Sequence, residues 1–238
     1  MAGLLVSSAE FTGGAIAPRW PLSRLSAEVM GGNVVVLRGA FPAAELLALR
    51  RAVWRWAQAV DPTPEPGPTV NCHCLQSGIS RLQRTPHVYH SYNFNRISSL
   101  PDELAGRLWS FFRPLLQFQN ALTGNAARLE AFEEGLTARP QLIQYPRGGG
   151  IFGRHVHPLN PQRIGLIVAM SRRGSDFDRG GTGFDMDGTV IDIEPHHDLG
   201  DVALFRFDIP HWVTPSDLRT KFDWGCELGR WSMVLPTY

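Results

Sequence analysis

The chain has 238 residues, of which 43% are hydrophobic and 19% are charged, and its formal net charge is +1. This composition is typical of a globular protein with a sizeable core and excludes a disordered chain. The near-neutral charge gives no reason to expect a nucleic acid or an anionic membrane surface as partner. Three cysteines do not make a disulfide framework, and neither a secretory signal nor a membrane-spanning run is evident, so we expect a cytoplasmic protein.

The N-terminal half begins with a predicted strand from Asn33 to Gly39. Pro42 then occupies a favourable first-turn position, and apolar residues recur at helical spacing from Ala43 to Val60. We expect this helix to end before the proline-rich run from Asp61 to Pro68, because proline cannot continue a helical ladder.

A second helix is predicted after the segment Ser98 to Glu103, where a serine, a proline and two acids suit a helix start. Pro114 lies within its apolar stripe, which predicts a kink or a break. A third helix is predicted from about Ala126 to Glu134.

The pattern changes after Pro140 to short apolar or alternating runs separated by Gly, Pro and Asp clusters, which is typical of strands and turns. The predicted strands are Gln141–Tyr145, Arg163–Met170, Val202–Ile209 and Arg230–Leu235. Helices followed by strands indicate an α+β fold in which the helices pack against a sandwich or barrel.

His155 and His157 are the most informative pair in this C-terminal part. On an extended strand, side chains at i and i+2 leave the same face, so the two imidazoles can converge on one point. His211, from another strand, would complete a facial set of three ligands with open positions. Such a set suits iron(II) and oxygen chemistry.

The order of elements resembles the double-stranded β-helix (jelly-roll) domain of the iron(II)- and 2-oxoglutarate-dependent oxygenases. It runs from Tyr145 through a Gly-rich turn, His155-x-His157, Gly180-Gly-Thr-Gly-Phe184 and His211 to Gly229-Arg-Trp-Ser232. The resemblance covers about residues 140–238. It implies a single domain over 1–238, with a mainly helical part at 1–138 and a jelly-roll core at 139–238 that carries the metal site.

The resemblance also implies roles for individual residues. His155 and His211 correspond to the first and the distal iron ligand of the family. Arg230 and Ser232, which share a strand face, correspond to the clamp for the distal carboxylate of 2-oxoglutarate. A guanidinium can bind a carboxylate bidentately, as this role requires. Tyr145 stands where the family often places an aromatic hydroxyl near the co-substrate.

His157 departs from the family, which carries aspartate or glutamate at this position. Three neutral imidazoles leave an iron(II) centre at a formal +2, and histidine remains a competent ligand. A dianionic 2-oxoglutarate would then neutralise the centre. The alternative is that His157 does not bind the metal.

Three further segments carry weaker signals. The polar aromatic stretch from Pro86 to Arg96 could line a substrate pocket, with Tyr92, Asn93 and Arg96 as candidate contacts, or could pack helices against the sheet. The segment His196-His197-Asp198 is predicted to be a solvated loop. The motif Cys72-His73-Cys74 lacks a second pair at zinc-finger spacing and is predicted to be a partly buried loop.

The sequence therefore predicts an iron(II)- and 2-oxoglutarate-dependent oxygenase that hydroxylates a small molecule with O2, and it leaves the oligomeric state open. One alternative is a three-histidine metal dioxygenase that acts without 2-oxoglutarate. Arg230 is evidence against this alternative, because without 2-oxoglutarate there is less reason for a cation at that position. The other is a jelly-roll protein without catalytic activity.

Overall fold

A computed structural model describes residues 2–76, 86–131 and 135–238. Its α-helices are α1 (Leu22–Met30), α2 (Ala43–Ala59) and α3 (Asp102–Thr123), and short 3-10 helices lie at Ile97–Ser99 and Glu194–His196. The strands are β1 (Leu4–Thr12), β2 (Ala15–Pro18), β3 (Val34–Arg38), β4 (Val70–Gln76), β5 (His87–Asn93), β6 (Arg128–Leu129), β7 (Thr137–Ala138), β8 (Gln141–Pro146), β9 (Ile151–His155), β10 (Ile164–Ala169), β11 (Gly181–Met186), β12 (Thr189–Asp192), β13 (Val202–Arg206), β14 (His211–Thr214) and β15 (Gly229–Val234).

Most strands join one long sheet in the order β12-β11-β14-β9-β5-β8-β15-β10-β13-β3-β1-β2, with β4 added beside β5. Neighbouring strands are antiparallel except for β1 and β3, which run parallel. The sheet folds over on itself, because Ile143 and Tyr145 of β8 pack against Val213 of β14 and Phe152 of β9. This is the architecture of a double-stranded β-helix, and it confirms the predicted α+β jelly-roll fold.

The helices cover the outer face of the sheet. On β15, Trp231 and Met233 join the large core that the helices complete. Because side chains alternate along a strand, Arg230 and Ser232 point to the opposite face, into the barrel. Burial of one strand face under the helices thus fixes which residues of β15 can reach a site inside the barrel.

Two of the predicted helices are confirmed. Helix α2 buries Leu46, Leu49, Val53 and Ala57 at helical spacing and ends just before the proline-rich run. Helix α3 continues through Pro114 to Thr123, so, of the kink or break predicted at Pro114, the break does not occur. None of the helices in the described residues has the length and apolarity needed to cross a membrane.

The predicted helix at 126–134 is wrong over its described part. Asn120 at the end of α3 accepts from the backbone N–H of Ala127 and donates to the backbone carbonyl of Ala127. This pair of hydrogen bonds holds the chain extended, and Arg128–Leu129 then pairs with Thr137–Ala138. Residues 132–134 lie outside the described part of the chain.

Two segments expected to be loops also differ from prediction. Cys72-His73-Cys74 lies on β4, an edge strand paired with β5, instead of a loop. The segment around His196-His197 is not simply solvated, because Glu194 and His197 are buried while His196 is exposed. The sequence did not predict the N-terminal strands β1 and β2.

Candidate metal centre

Three imidazoles meet at the mouth of the barrel. One possible ligand atom from each of His155, His157 and His211 lies within 4.8 Å of the others. His155 ends β9 and His211 begins β14, and the two are direct partners across this strand pair. His157 lies beyond the end of β9, and its ring centroid is 4.8 Å from that of His155. The strand pairing therefore brings together residues that are far apart in the sequence.

Backbone carbonyl groups orient two of the rings. Nδ1 of His155 donates to the carbonyl oxygen of Gly153 at 2.8 Å, and Nδ1 of His211 donates to that of Ile209 at 2.9 Å. These hydrogen bonds place the proton on Nδ1 and leave a lone pair on Nε2, the atom a metal would bind. The ring of His157 stacks on Phe207 at a centroid distance of 4.2 Å.

Burial keeps the three rings neutral. Loss of solvation lowers the pKa of His211 to about 3, and the neighbouring His155 adds to the effect. Burial likewise lowers the pKa of His155 to about 4 and also lowers that of His157. Metal binding requires unprotonated imidazole, so the cluster needs no further proton loss at neutral pH.

Arg230 lies in a buried network further inside the barrel. Its Nη1 donates to Ser232 Oγ and its Nη2 to Thr182 Oγ1, each at 2.5 Å, and its Nε donates to Glu194 Oε1 at 2.7 Å. Tyr145 is its partner across β8 and β15, and the guanidinium lies 5.7 Å from the ring centroid of Tyr145. The structure thus brings together Arg230, Ser232 and Tyr145.

Glu194 is the residue that sequence reasoning missed. It follows β12 in a 3-10 helix, and its carboxylate also accepts from the backbone N–H of Thr182 at 3.0 Å. Burial alone would raise the pKa of Glu194, but the charge of Arg230 and the hydrogen bonds outweigh it, and the pKa is lowered. The charge of Arg230 is therefore already balanced by an internal carboxylate. No sequence pattern links Glu194 or Thr182 to Arg230.

A cavity of about 240 Å³ extends from the three histidines to the edge of the arginine network. All three histidines line it, and so do Thr182 and Tyr145 from the arginine network. Its remaining walls are mainly apolar or aromatic. Small-molecule sites combine such apolar walls with a few convergent polar groups.

The three candidate substrate contacts lie in different places. Tyr92 is buried on the helix side of the sheet, where its ring stacks on Trp231 at 5.3 Å. Asn93 lines a second chamber beside the cavity. Arg96 precedes the 3-10 helix Ile97–Ser99. The structure therefore places one of the three beside the barrel mouth.

Fold and site together define a double-stranded β-helix protein with a candidate three-histidine metal centre. No protein-family model matches the chain, and no curated protein matches it either. Solved structures do resemble it, and they identify the fold more closely.

A Pseudomonas putida prolyl-4-hydroxylase has a TM-score of 0.58 and 15% sequence identity, over 90% of this chain and 97% of that one. A full-length Neurospora crassa protein in complex with alpha-KG has a TM-score of 0.58 and 13% identity, over 96% and 83% of the two chains. The non-heme alpha ketoglutarate dependent epimerase SnoN from nogalamycin biosynthesis has a TM-score of 0.57 and 13% identity, over 91% and 82%. The chain therefore shares the fold of the 2-oxoglutarate and iron(II) oxygenases, as the sequence predicted.

Proposed function

We propose that this protein is a non-haem iron(II)-dependent oxygenase in which His155, His157 and His211 hold the metal. The main support is the convergence of three neutral imidazoles, two of them with Nδ1 tied to a backbone carbonyl. Three nitrogen donors on one side suit iron(II) and leave positions open on the other. Bound iron(II) supplies the redox chemistry of oxygen activation, and the chain orients the reactants and excludes water.

We further propose 2-oxoglutarate as co-substrate, with Arg230, Ser232, Tyr145 and Thr182 around its distal carboxylate. The hydrogen bonds of Arg230 described above use three of the five N–H donors of a guanidinium, which leaves roughly two for a ligand. The hydroxyl groups of Ser232, Thr182 and Tyr145 can rotate, so each can also donate a hydrogen bond to a bound carboxylate. Iron(II) with three neutral ligands carries +2, which a dianion neutralises, while Arg230 and Glu194 neutralise each other.

The proposed reaction is hydroxylation of a small molecule. A cavity of about 240 Å³ with mainly apolar walls supports a compact substrate whose reacting part is apolar.

One observation favours a second candidate, a three-histidine oxygenase that acts without 2-oxoglutarate. Arg230 and Glu194 form a buried ion pair with side-chain exposures of 2% and 3%. A second carboxylate at Arg230 would meet the negative charge of Glu194. Arg230 would then have a structural role in place of a role in co-substrate binding.

Metal analysis tests the proposed centre. Alanine variants of His155, His157 and His211 should each lower the affinity for iron(II) by about 100-fold or more, because one of three ligands is lost. His196→Ala is the matched control, since His196 is exposed and lies outside the cluster. Unchanged metal content in the three cluster variants would remove the site and leave a jelly-roll protein without catalytic activity.

Co-substrate use needs a separate test. Anaerobic titration of the iron(II) protein with 2-oxoglutarate should give the visible charge-transfer absorption of a 2-oxo acid chelate, and oxygen should then yield succinate. Arg230→Lys keeps the charge but loses the planar fork, so it should bind 2-oxoglutarate about tenfold more weakly. Metal binding without either signal would favour the second candidate.

A further inference from the structure

A second chamber of about 220 Å³ opens beside the metal cavity. We call it the outer chamber, and its polar walls include Glu65, Ser91, Asn93, Arg139 and Gln141. Tyr89, Gln141, Pro236 and Tyr238 line both the outer chamber and the metal cavity. A ligand in the outer chamber would therefore lie next to the space that the three histidines face.

A chain of hydrogen bonds joins Gln141 to Glu65 along one wall of the outer chamber. Gln141 Nε2 donates to Ser91 Oγ at 3.2 Å, and Ser91 Oγ donates to Asn93 Oδ1 at 2.9 Å. Asn93 Nδ2 then donates to Glu65 Oε1. Ser91 and Asn93 lie on β5 and Gln141 on β8, whereas Glu65 is an exposed residue of the loop before β4. The hydrogen bond from Asn93 thus ties the Glu65 carboxylate to the sheet beside the chamber.

Arg139 supplies the opposite charge. Its backbone N–H donates to the carbonyl oxygen of Pro236 at 2.8 Å, and its guanidinium lies 4.6 Å from the ring centroid of Tyr238. Burial raises the pKa of the Tyr238 hydroxyl, while Arg139 lowers it and Glu65 raises it. Both charges therefore act on the same phenol group.

The Cys72 thiol and the Tyr89 hydroxyl add no charge to the outer chamber at neutral pH. Burial raises the pKa of the Cys72 thiol to about 12, with Cys74 and Glu65 adding to the shift, and burial also raises the pKa of Tyr89. Within the described ranges, Glu65 and Arg139 form no ion pair with each other. The chamber thus presents one carboxylate and one guanidinium that are not paired with each other, together with uncharged hydrogen-bonding groups such as Ser91, Asn93 and Gln141.

We propose that the outer chamber binds the charged end of a small zwitterion, an α-amino acid or a close derivative. Its ammonium group would pair with Glu65 and its carboxylate with Arg139. An apolar side chain would extend past Tyr89 into the metal cavity, where Ile143 and Phe152 offer apolar walls. This inference rests on the proposed function, because it identifies the substrate class of the same site.

Calorimetry with L-leucine, L-isoleucine and L-phenylalanine tests the proposal, using both metal-free and Mn(II)-loaded protein. At least one of the three should bind, and its N-acetyl and amide derivatives should bind about tenfold more weakly, since each lacks one charge. Derivatives that bind as tightly as the zwitterion would overturn the proposal. So would the absence of binding by all three amino acids at roughly 10 mM.

Variants locate the binding site. Arg139→Ala and Glu65→Gln should each weaken binding about tenfold. Arg113→Ala is a matched control, because Arg113 also lies over an aromatic ring, Trp109, at 4.5 Å but on α3. Equal effects of Arg139→Ala and Arg113→Ala would refute the assignment.

The two forms of the protein separate this inference from the proposed function. Amino-acid binding to a protein that takes up no metal would support the outer chamber and contradict the oxygenase. Metal binding without amino-acid binding would support the metal centre and contradict the assignment of the outer chamber.

Discussion

Glu194→Gln is the most informative single substitution, because it removes one charge from the ion pair inside the barrel and keeps the shape of the side chain. Glu194 and Arg230 have side-chain exposures of 3% and 2%, and Nε lies 2.7 Å from Oε1. Removing one partner of such a buried pair costs about 3–5 kcal/mol. The amide oxygen can still accept from Arg230 and Thr182, so we expect a loss near the lower limit, about 3 kcal/mol.

Urea unfolding gives this loss directly, and the chain offers a matched control. Glu103 and Arg107 pair at 3.1 Å with side-chain exposures of 82% and 43%. Glu103→Gln should change the free energy of unfolding by only about 0.5 kcal/mol, because water screens the surface pair. Equal losses for the two variants would refute the conclusion that Arg230 depends on Glu194 for its counter-charge.

The same variant bears on the co-substrate. Without Glu194, the carboxylate that pairs with Arg230 is gone, so a distal carboxylate of 2-oxoglutarate no longer meets that negative neighbour. We expect the Kd of Glu194→Gln for 2-oxoglutarate to be about tenfold lower than that of the wild type. An unchanged Kd would show that the ligand does not reach Arg230.

Two further predictions concern stability. Gly181→Ala should cost about 1–3 kcal/mol in urea unfolding, because its Cβ would overlap the Glu194 side chain, whereas Gly106→Ala, on α3 with open space around it, should stabilise by about 0.5–1 kcal/mol. Similar values for both would contradict the close approach. His90 is buried between Asn71 at 2.7 Å and Tyr92 at 2.9 Å, and burial, with a smaller effect of His73, lowers its pKa to about 3. The unfolded state therefore takes up this proton first as pH falls below about 6.5, so the stability present at neutral pH is lost on acidification. The loss between about pH 7.5 and about pH 5 is roughly 2 kcal/mol. His90→Gln should lack that part of the pH dependence, and an identical pH slope would contradict the assignment.

Strand periodicity accounts for much of what the sequence predicted. Residues at i and i+2 share a face, so strand parity alone puts Arg230 and Ser232 side by side. To predict that His155 and His211 converge, we also needed the resemblance of the surrounding sequence to a known family. His157 lies beyond the end of β9, so strand parity alone does not explain why its ring reaches the others.

Local helix signals were less decisive. The apolar spacing from Ala43 to Val60 predicted α2, and four of these apolar residues line its buried face. The segment after Asn125 has residues that favour a helix, yet the side chain of Asn120 bonds both backbone groups of Ala127. That contact, between residues seven apart in the sequence, outweighs a weak helix propensity.

By itself, the sequence predicted the α+β class, because that class depends on short periodic patterns. The jelly-roll order of strands and the candidate ligand set came from the resemblance of the sequence to a known family. Only the tertiary structure placed Glu194 and Thr182 on Arg230, across separations of 36 and 48 residues. It also brought Glu65 and Arg139 to one chamber beside the metal cavity. Residues so far apart in the sequence become neighbours only when the sheet folds over, and local sequence patterns do not predict which of them will meet.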